Sequence, residues 1–150
     1  IYSNAVGSVD TKNYMKPSKV HEGFPKKNGA YVEKINKLCE QNGAKLVLVS
    51  SPSVKNWNMR RHNAVAELSK KIGCDYIDMN ALRKEIPIDW KTDTKDKGDH
   101  LNYTGALKAS AYLGKYFDSL GIFRDKRNDP AYSQWNSAVK EFSESTGKSL

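Results

Sequence analysis

At 150 residues the chain has the size of one domain, enough for a single hydrophobic core but not obviously for two. A composition of 38% hydrophobic and 28% charged residues suits a soluble globular protein, and no apolar run approaches the length of a membrane span. The net charge of +8 rests on 20 Lys against 5 Arg, spread from Lys12 to Lys148 beside Asp and Glu. That pattern describes a solvated surface and argues against a nucleic-acid reader, which clusters Arg forks with aromatics. The partner such a charge still attracts is an anionic polymer or a membrane surface. Cys39 and Cys74 are too few for a disulfide framework and read as small buried residues. No leader segment is visible, and the opening Ile1-Tyr2-Ser3-Asn4 reads as a cut inside a longer sequence.

Residues 1–28 hold Gly7, Pro17, Gly23 and Pro25 with no sustained period, which predicts an irregular, partly mobile lead-in. Ser8 follows a glycine, but it lacks the buried strand before and the helix after that a nucleophile turn requires. From Tyr31 to Gln41 the residues Tyr31, Val32, Ile35, Leu38 and Cys39 recur at helical spacing, and Asn42-Gly43 supplies the stop. The run Leu46-Val47-Leu48-Val49 is of buried-strand type and points to a parallel sheet covered on both faces. It ends in Ser50-Ser51-Pro52-Ser53, and active-site loops emerge at the carboxyl ends of parallel strands.

Trp57, in the same loop, either lines a substrate groove or lids the core. Residues 59–72 read as a second helix with Ala64, Val65, Leu68 and Ile72 on one face, and His62 near its start as a surface residue. Cys74 to Met79 reads as a shorter strand whose Asp78 either points toward a site or, as strand-end Asp residues more often do, caps the next turn, and Ala81 to Glu85 as a brief helical turn before Pro87. Gly105 to Leu120 predicts a long helix with Ala106, Ala109, Leu113, Tyr116, Phe117 and Leu120 inward. Asp129-Pro130 opens a last amphipathic helix carrying Tyr132, Trp135, Val139 and Phe142, expected on the outside of the domain.

Between the second strand and the long helix lies Lys95-Asp96-Lys97-Gly98-Asp99-His100-Leu101-Asn102. Here a glycine turns the backbone among two carboxylates and one imidazole. A carboxylate that fixes an imidazole's tautomer and stabilises its protonated form is half of a general-base catalyst. The helix amino terminus that follows disfavours imidazolium and favours a neutral base. Asp96 is preferred over Asp99 as the partner, because adjacent side chains in extended chain diverge while a glycine turn folds Asp96 back. The carboxylates lack the alternating oxygen-ligand pattern of a cation loop, so no metal is expected.

Taken together, the apolar strand, the Ser-Pro loop, His62-Asn63-Ala64, Tyr76-Ile77-Asp78 and the block from Asp96 to Asn102 with Gly105 resemble the carboxy-terminal half of SGNH (GDSL-like) hydrolases. The likeness spans roughly residues 31 to 121 and is nearest the bacterial cell-surface esterase and O-acyltransferase branch. It implies a flavodoxin-like three-layer α/β/α sandwich with a parallel sheet, and a Ser nucleophile whose general base corresponds to His100. Two departures stand out. Lys97 occupies the position three before His100 where the family has Asp, and the Gly-Asp-Ser, Gly and Asn blocks are not recognisable.

Two confident strands against at least four helices agree with that absence, since an open sheet of this class has about five strands. The chain reads as a lead-in (1–28), the distal part of an SGNH-like domain (29–122) and a carboxy-terminal helical extension (123–150). The expected function is a serine esterase or O-acyltransferase acting on acylated carbohydrate or cell-envelope polymer. His100, Asp96 and Asp99 are its catalytic candidates, and Ser51, Ser53, Trp57 and Asn102 its substrate-binding ones. No cofactor and no nucleic acid is expected. The likeness implies an extracytoplasmic or cell-surface location and allows a membrane anchor upstream, while an exposed sheet edge points to a dimer or an upstream fragment completing the sheet. The rival is a non-catalytic module that binds a glycan or anionic polymer through Lys55, Trp57, Lys91, Lys95 and Lys97.

Overall fold

The apolar period from Tyr31 to Cys39 closes into helix α1 (Lys26–Gln41), in a computed structural model that describes residues 4–149. Strand β1 (Val47–Ser50), helix α2 (Met59–Ile72) and strand β2 (Asp75–Asp78) follow. Asn58 caps α2 by accepting the amides of Arg60 and Arg61, and Gly73 ends it. The strands pair in parallel from Val47 opposite Asp75 to Ser50 opposite Asp78, so β1, α2 and β2 form one βαβ unit of an α/β fold. Helix α3 (Tyr103–Ser119) comes next. The chain divides into two units, Ile1–Leu113 and Gly114–Leu150, with the boundary inside α3.

In the first unit, β1 has β2 on one side only among the described residues. Val49 is 41% exposed, so a run that reads as buried on both faces is half covered, because no further strand closes its second edge. Tyr31, Ile35 and Leu38 on α1 are likewise about half exposed; the face of α1 that turns inward carries Val32, Asn36 and Cys39 instead. Asn36 ties this helix to the end of α2 by donating to the Ile72 carbonyl at 2.9 Å.

The core gathers at the carboxyl end of the sheet, where Tyr14, Ile77, Met79 and Ile86 are buried together with Asp78, Asn80, Asp93 and Thr94. Residues 4–25 contain no helix or strand, yet they are anchored rather than loose. Gly7 donates its amide to the Thr94 carbonyl at 2.8 Å, Tyr14 its hydroxyl to Asn80 Oδ1 at 2.7 Å, and Asn63 its amide to the Ser18 carbonyl at 2.9 Å. The helix expected at 81–85 is a turn in which the Ile86 amide reaches the Leu82 carbonyl.

On α3 the buried residues are Gly105 and Ala109, whereas Ala106 and Phe117, expected inward, are exposed. A side chain at Gly105 would run into the Asp93 carbonyl oxygen, so this helix start lies directly on the preceding loop's backbone. The same contact is fastened by an ion pair. Asp93, almost wholly buried, meets Lys108 Nζ at 2.6 Å and accepts the Asp89 amide at 2.8 Å.

The second unit holds a 3-10 turn (Pro130–Tyr132), capped by Asp129 through the Ala131 amide, and helix α4 (Ser133–Thr146). Its Trp135 is 65% exposed and Val139 is exposed as well.

Candidate active site

The loop from Lys95 to His100 is shaped from beneath by one buried side chain. Thr94 and Leu101 form an antiparallel bridge at its base. The Thr94 hydroxyl donates to the His100 carbonyl at 2.9 Å and accepts the Gly98 amide at 2.9 Å, which fixes the two sides of the loop to each other. Lys97 at φ 58° and Gly98 at φ 82° are successive left-handed residues that reverse the chain. At Gly98 any side chain is strained, since the backbone is left-handed and a Cβ there would lie 3.0 Å from both Val9 and Val54. Thr94→Val keeps the shape and deletes the hydroxyl, leaving the buried Gly98 amide without an acceptor. The expected loss is about 1–3 kcal/mol of stability with faster hydrogen exchange at Gly98; an unaltered urea midpoint would show the hydroxyl to be dispensable.

The reversal brings Asp96 back onto His100. Asp96 Oδ2 lies 2.6 Å from His100 Nδ1, and its Oδ1 accepts the His100 backbone amide at 2.6 Å. Asp99 Oδ1 is 3.9 Å from the same ring nitrogen, and Asp99 is held elsewhere by Lys55 Nζ at 3.2 Å and by the Asn56 amide. The carboxylate in contact is therefore Asp96. With Nδ1–H directed to a carboxylate, the free lone pair of the imidazole sits on Nε2, which has no hydrogen bond among the described residues. The ring side chain is 64% exposed.

Asp96 titrates below the ordinary aspartate value of 3.8, chiefly because the His100 backbone amide bonds its charged form, and secondarily through the ring. A carboxylate depressed on folding contributes stability above its unfolded pKa and loses it as pH falls through the lower folded one. The loop is thus expected to keep its form down through pH 3.8 and to open only below it. An acid titration of the His100 amide resonance with a midpoint at or above 3.8 would contradict this.

His100 stands at one end of a groove of about 470 Å³ that runs along β1, with Leu48, Val49, Ser51, Trp57 and Val65 among its walls. Ser51 and Ser53 both line it. The Ser53 hydroxyl is taken up by the Gly98 carbonyl at 3.1 Å and the Asn56 amide at 3.1 Å, so it braces the loop. Trp57 is a groove wall whose indole N–H is tied down at 2.9 Å to Asp78. Asn102 departs from its expected role as a substrate-binding residue. It is buried, caps α3 by accepting the Gly105 amide at 3.2 Å, and gives its own amide to the carbonyls of Ala5 and Thr92.

A second carboxylate–imidazole pair lies behind the groove, and the sequence reading missed it. His62 Nδ1 is 2.6 Å from Asp78 Oδ2, so His62 is not the plain surface residue its helix position suggests. Asp78, its side chain 2% exposed, also accepts the Asn80 amide at 2.9 Å and Asn80 Nδ2 at 2.7 Å besides the Trp57 indole. Next to it, burial raises the Tyr76 phenol pKa far above its usual value, and that hydroxyl shares a hydrogen bond with Ser50 Oγ at 3.0 Å. The one available signal was spacing: a histidine in the first turn of α2 faces the carboxyl end of the strand that α2 precedes.

Among the described residues only Asp96, Asp99 and His100 stand close enough to share a cation, with ligand atoms within 4.8 Å of one another. The Lys55 ammonium on Asp99 competes for that place.

The fold and the site together define a parallel α/β unit whose carboxyl-end loops carry an Asp–His pair to the rim of a groove. Comparison with protein-family models, with curated proteins and with solved structures finds no match.

Proposed function

We propose that the chain carries the acid/base half of an SGNH-type serine esterase or O-acyltransferase, on a flavodoxin-like α/β/α sandwich, acting on acylated carbohydrate or cell-envelope polymer outside the cytoplasm. The observation that carries this reading is the doubly bonded Asp96–His100 pair with Nε2 left open beside the groove. In the reaction a Ser Oγ attacks the acyl carbonyl while His100 Nε2 takes its proton. Asp96 holds the imidazolium, and the proton passes to the departing alkoxide. The acyl-enzyme then yields its acyl group to water in an esterase or to a hydroxyl acceptor in a transferase.

The nucleophile in this reading comes from a segment that completes the sheet at the open edge of β1. Support comes from the groove, which β1 residues and His100 line together, and from the serines near it. Ser50 and Ser53 already have their hydroxyls bonded, and Ser51 lacks a following helix to aim it. The test is p-nitrophenyl acetate turnover by the 150-residue chain alone and by the longer polypeptide. Activity is expected only in the second. Turnover by the chain alone that disappears in Ser51→Ala would instead place the nucleophile inside it.

A second reading, a binding module for a glycan or anionic polymer, is favoured by Lys91, Lys95 and Lys97, which have no ion-pair partner among the described residues around the site loop. Retention on an acidic polysaccharide column, abolished by the triple Lys→Gln variant without effect on esterase turnover, would favour it.

A further inference from the structure

Away from the groove, a second and more enclosed cavity of about 120 Å³ lies at the carboxyl end of β2 and shares no lining residue with the first. Its walls are mixed: Met79, Ile86, Ile88 and Trp90 form an apolar side, Thr11, Asn80 and Arg83 a polar one, and Trp90 stands edge-on to Tyr14 with centroids 5.1 Å apart. Asn80 reaches the wall with both ends of its amide already bonded: Oδ1 accepts from Tyr14 and Ser53, and Nδ2 donates to Ser51 and Asp78. The charged group at the cavity is Arg83.

Arg83 is held before any ligand arrives. Its Nη2 donates to the Tyr14 carbonyl at 2.6 Å, and its Cζ lies 5.0 Å over the Tyr14 ring. It has no carboxylate partner among the described residues, so its other N–H groups, the second one on Nη2 included, are left to donate. A guanidinium fixed in this way loses little freedom on forming a forked pair, and that fork matches a carboxylate. The volume approaches the ~150 Å³ of an apolar cavity that takes benzene, so the body of the ligand is one ring or a short chain. Arg83 is the single cation in the lining, and the apolar side of Met79, Ile86, Ile88 and Trp90 offers no partner to the further oxygens of a doubly charged phosphate.

We propose that this cavity binds a small monocarboxylate, with the carboxylate on Arg83 and the apolar body against Ile88 and Trp90. The site stands on its own residues and does not depend on the function read from His100.

The test is titration of the whole ¹⁵N-labelled chain with sodium benzoate, following the Trp90 indole resonance. Saturable shifts in the millimolar range are expected, with affinity at least about tenfold weaker in Arg83→Gln, the loss that one charge-assisted hydrogen bond carries. Benzyl alcohol, which keeps the ring and lacks the charge, should be weaker by a similar factor, and inorganic phosphate should not displace benzoate. No saturable shift at Trp90, equal binding of benzyl alcohol, undiminished binding by Arg83→Gln, or displacement by phosphate would each overturn the proposal. Should Arg83→Gln lose its fold by circular dichroism, the comparison of benzoate with benzyl alcohol on the unaltered chain decides.

Discussion

If the proposed esterase reading holds, replacing His100 by Ala in a polypeptide that also supplies the nucleophile is expected to lower acyl-ester turnover by ~10²–10⁴-fold, the usual contribution of a positioned general base. The loss should fall on kcat, because the ring acts on the proton moved in the transition state and is not needed to hold the substrate. Asp96→Asn should come close to it. An amide nitrogen facing Nδ1 reverses the tautomer and points a proton, not a lone pair, at the serine. Since the His100 ring is 64% exposed, the alanine variant should keep its circular dichroism and its urea midpoint. Turnover that survives His100→Ala in a folded sample would remove this residue from the mechanism and leave the binding reading in its place.

The largest expected effect on stability belongs to Asp78. Its carboxylate is the common acceptor of the Trp57 indole, His62, the Asn80 amide and Asn80 Nδ2. Asp78→Ala leaves those donors without an acceptor at a place where water does not reach, at a cost of about 3–5 kcal/mol. Asn80 in turn holds Tyr14, Ser51 and Ser53, so the lead-in and the loop between β1 and α2 should loosen together. Urea unfolding followed by circular dichroism measures the loss, and Trp57 emission should shift to the red. A midpoint unchanged within error would mean that the network forms without stabilising the fold.

These two residues also mark how far the sequence could be read. His100 and Asp96 were legible because the chemistry lies within five positions of one loop, and the glycine that folds it is written between them. Asp78 and His62 were not, because the pair joins a strand end to a helix start across 16 residues, and either residue alone has an ordinary local use as a turn cap or a solvated histidine. The place of Asn102 was hidden for a related reason. An amide beside a histidine suits a substrate contact and a helix cap equally, and burial under Ala5 and Thr92 chose the cap.

By itself the sequence determined the elements: α1, β1, α2, β2 and α3 follow from apolar period, Asn and Gly stops and the continuous Leu46 to Val49 run, because backbone geometry and local hydrogen bonding impose those periods within a few turns of chain. Only the tertiary structure decided what those elements cover. It left Val49 and the Tyr31, Ile35 and Leu38 face of α1 open, drew residues 4–25 into the site through Gly7 and Tyr14, and placed Thr94 beneath the loop that aims His100. Burial and long-range hydrogen bonding depend on which segments meet in space, and one-dimensional spacing carries no record of residues that meet across tens of positions.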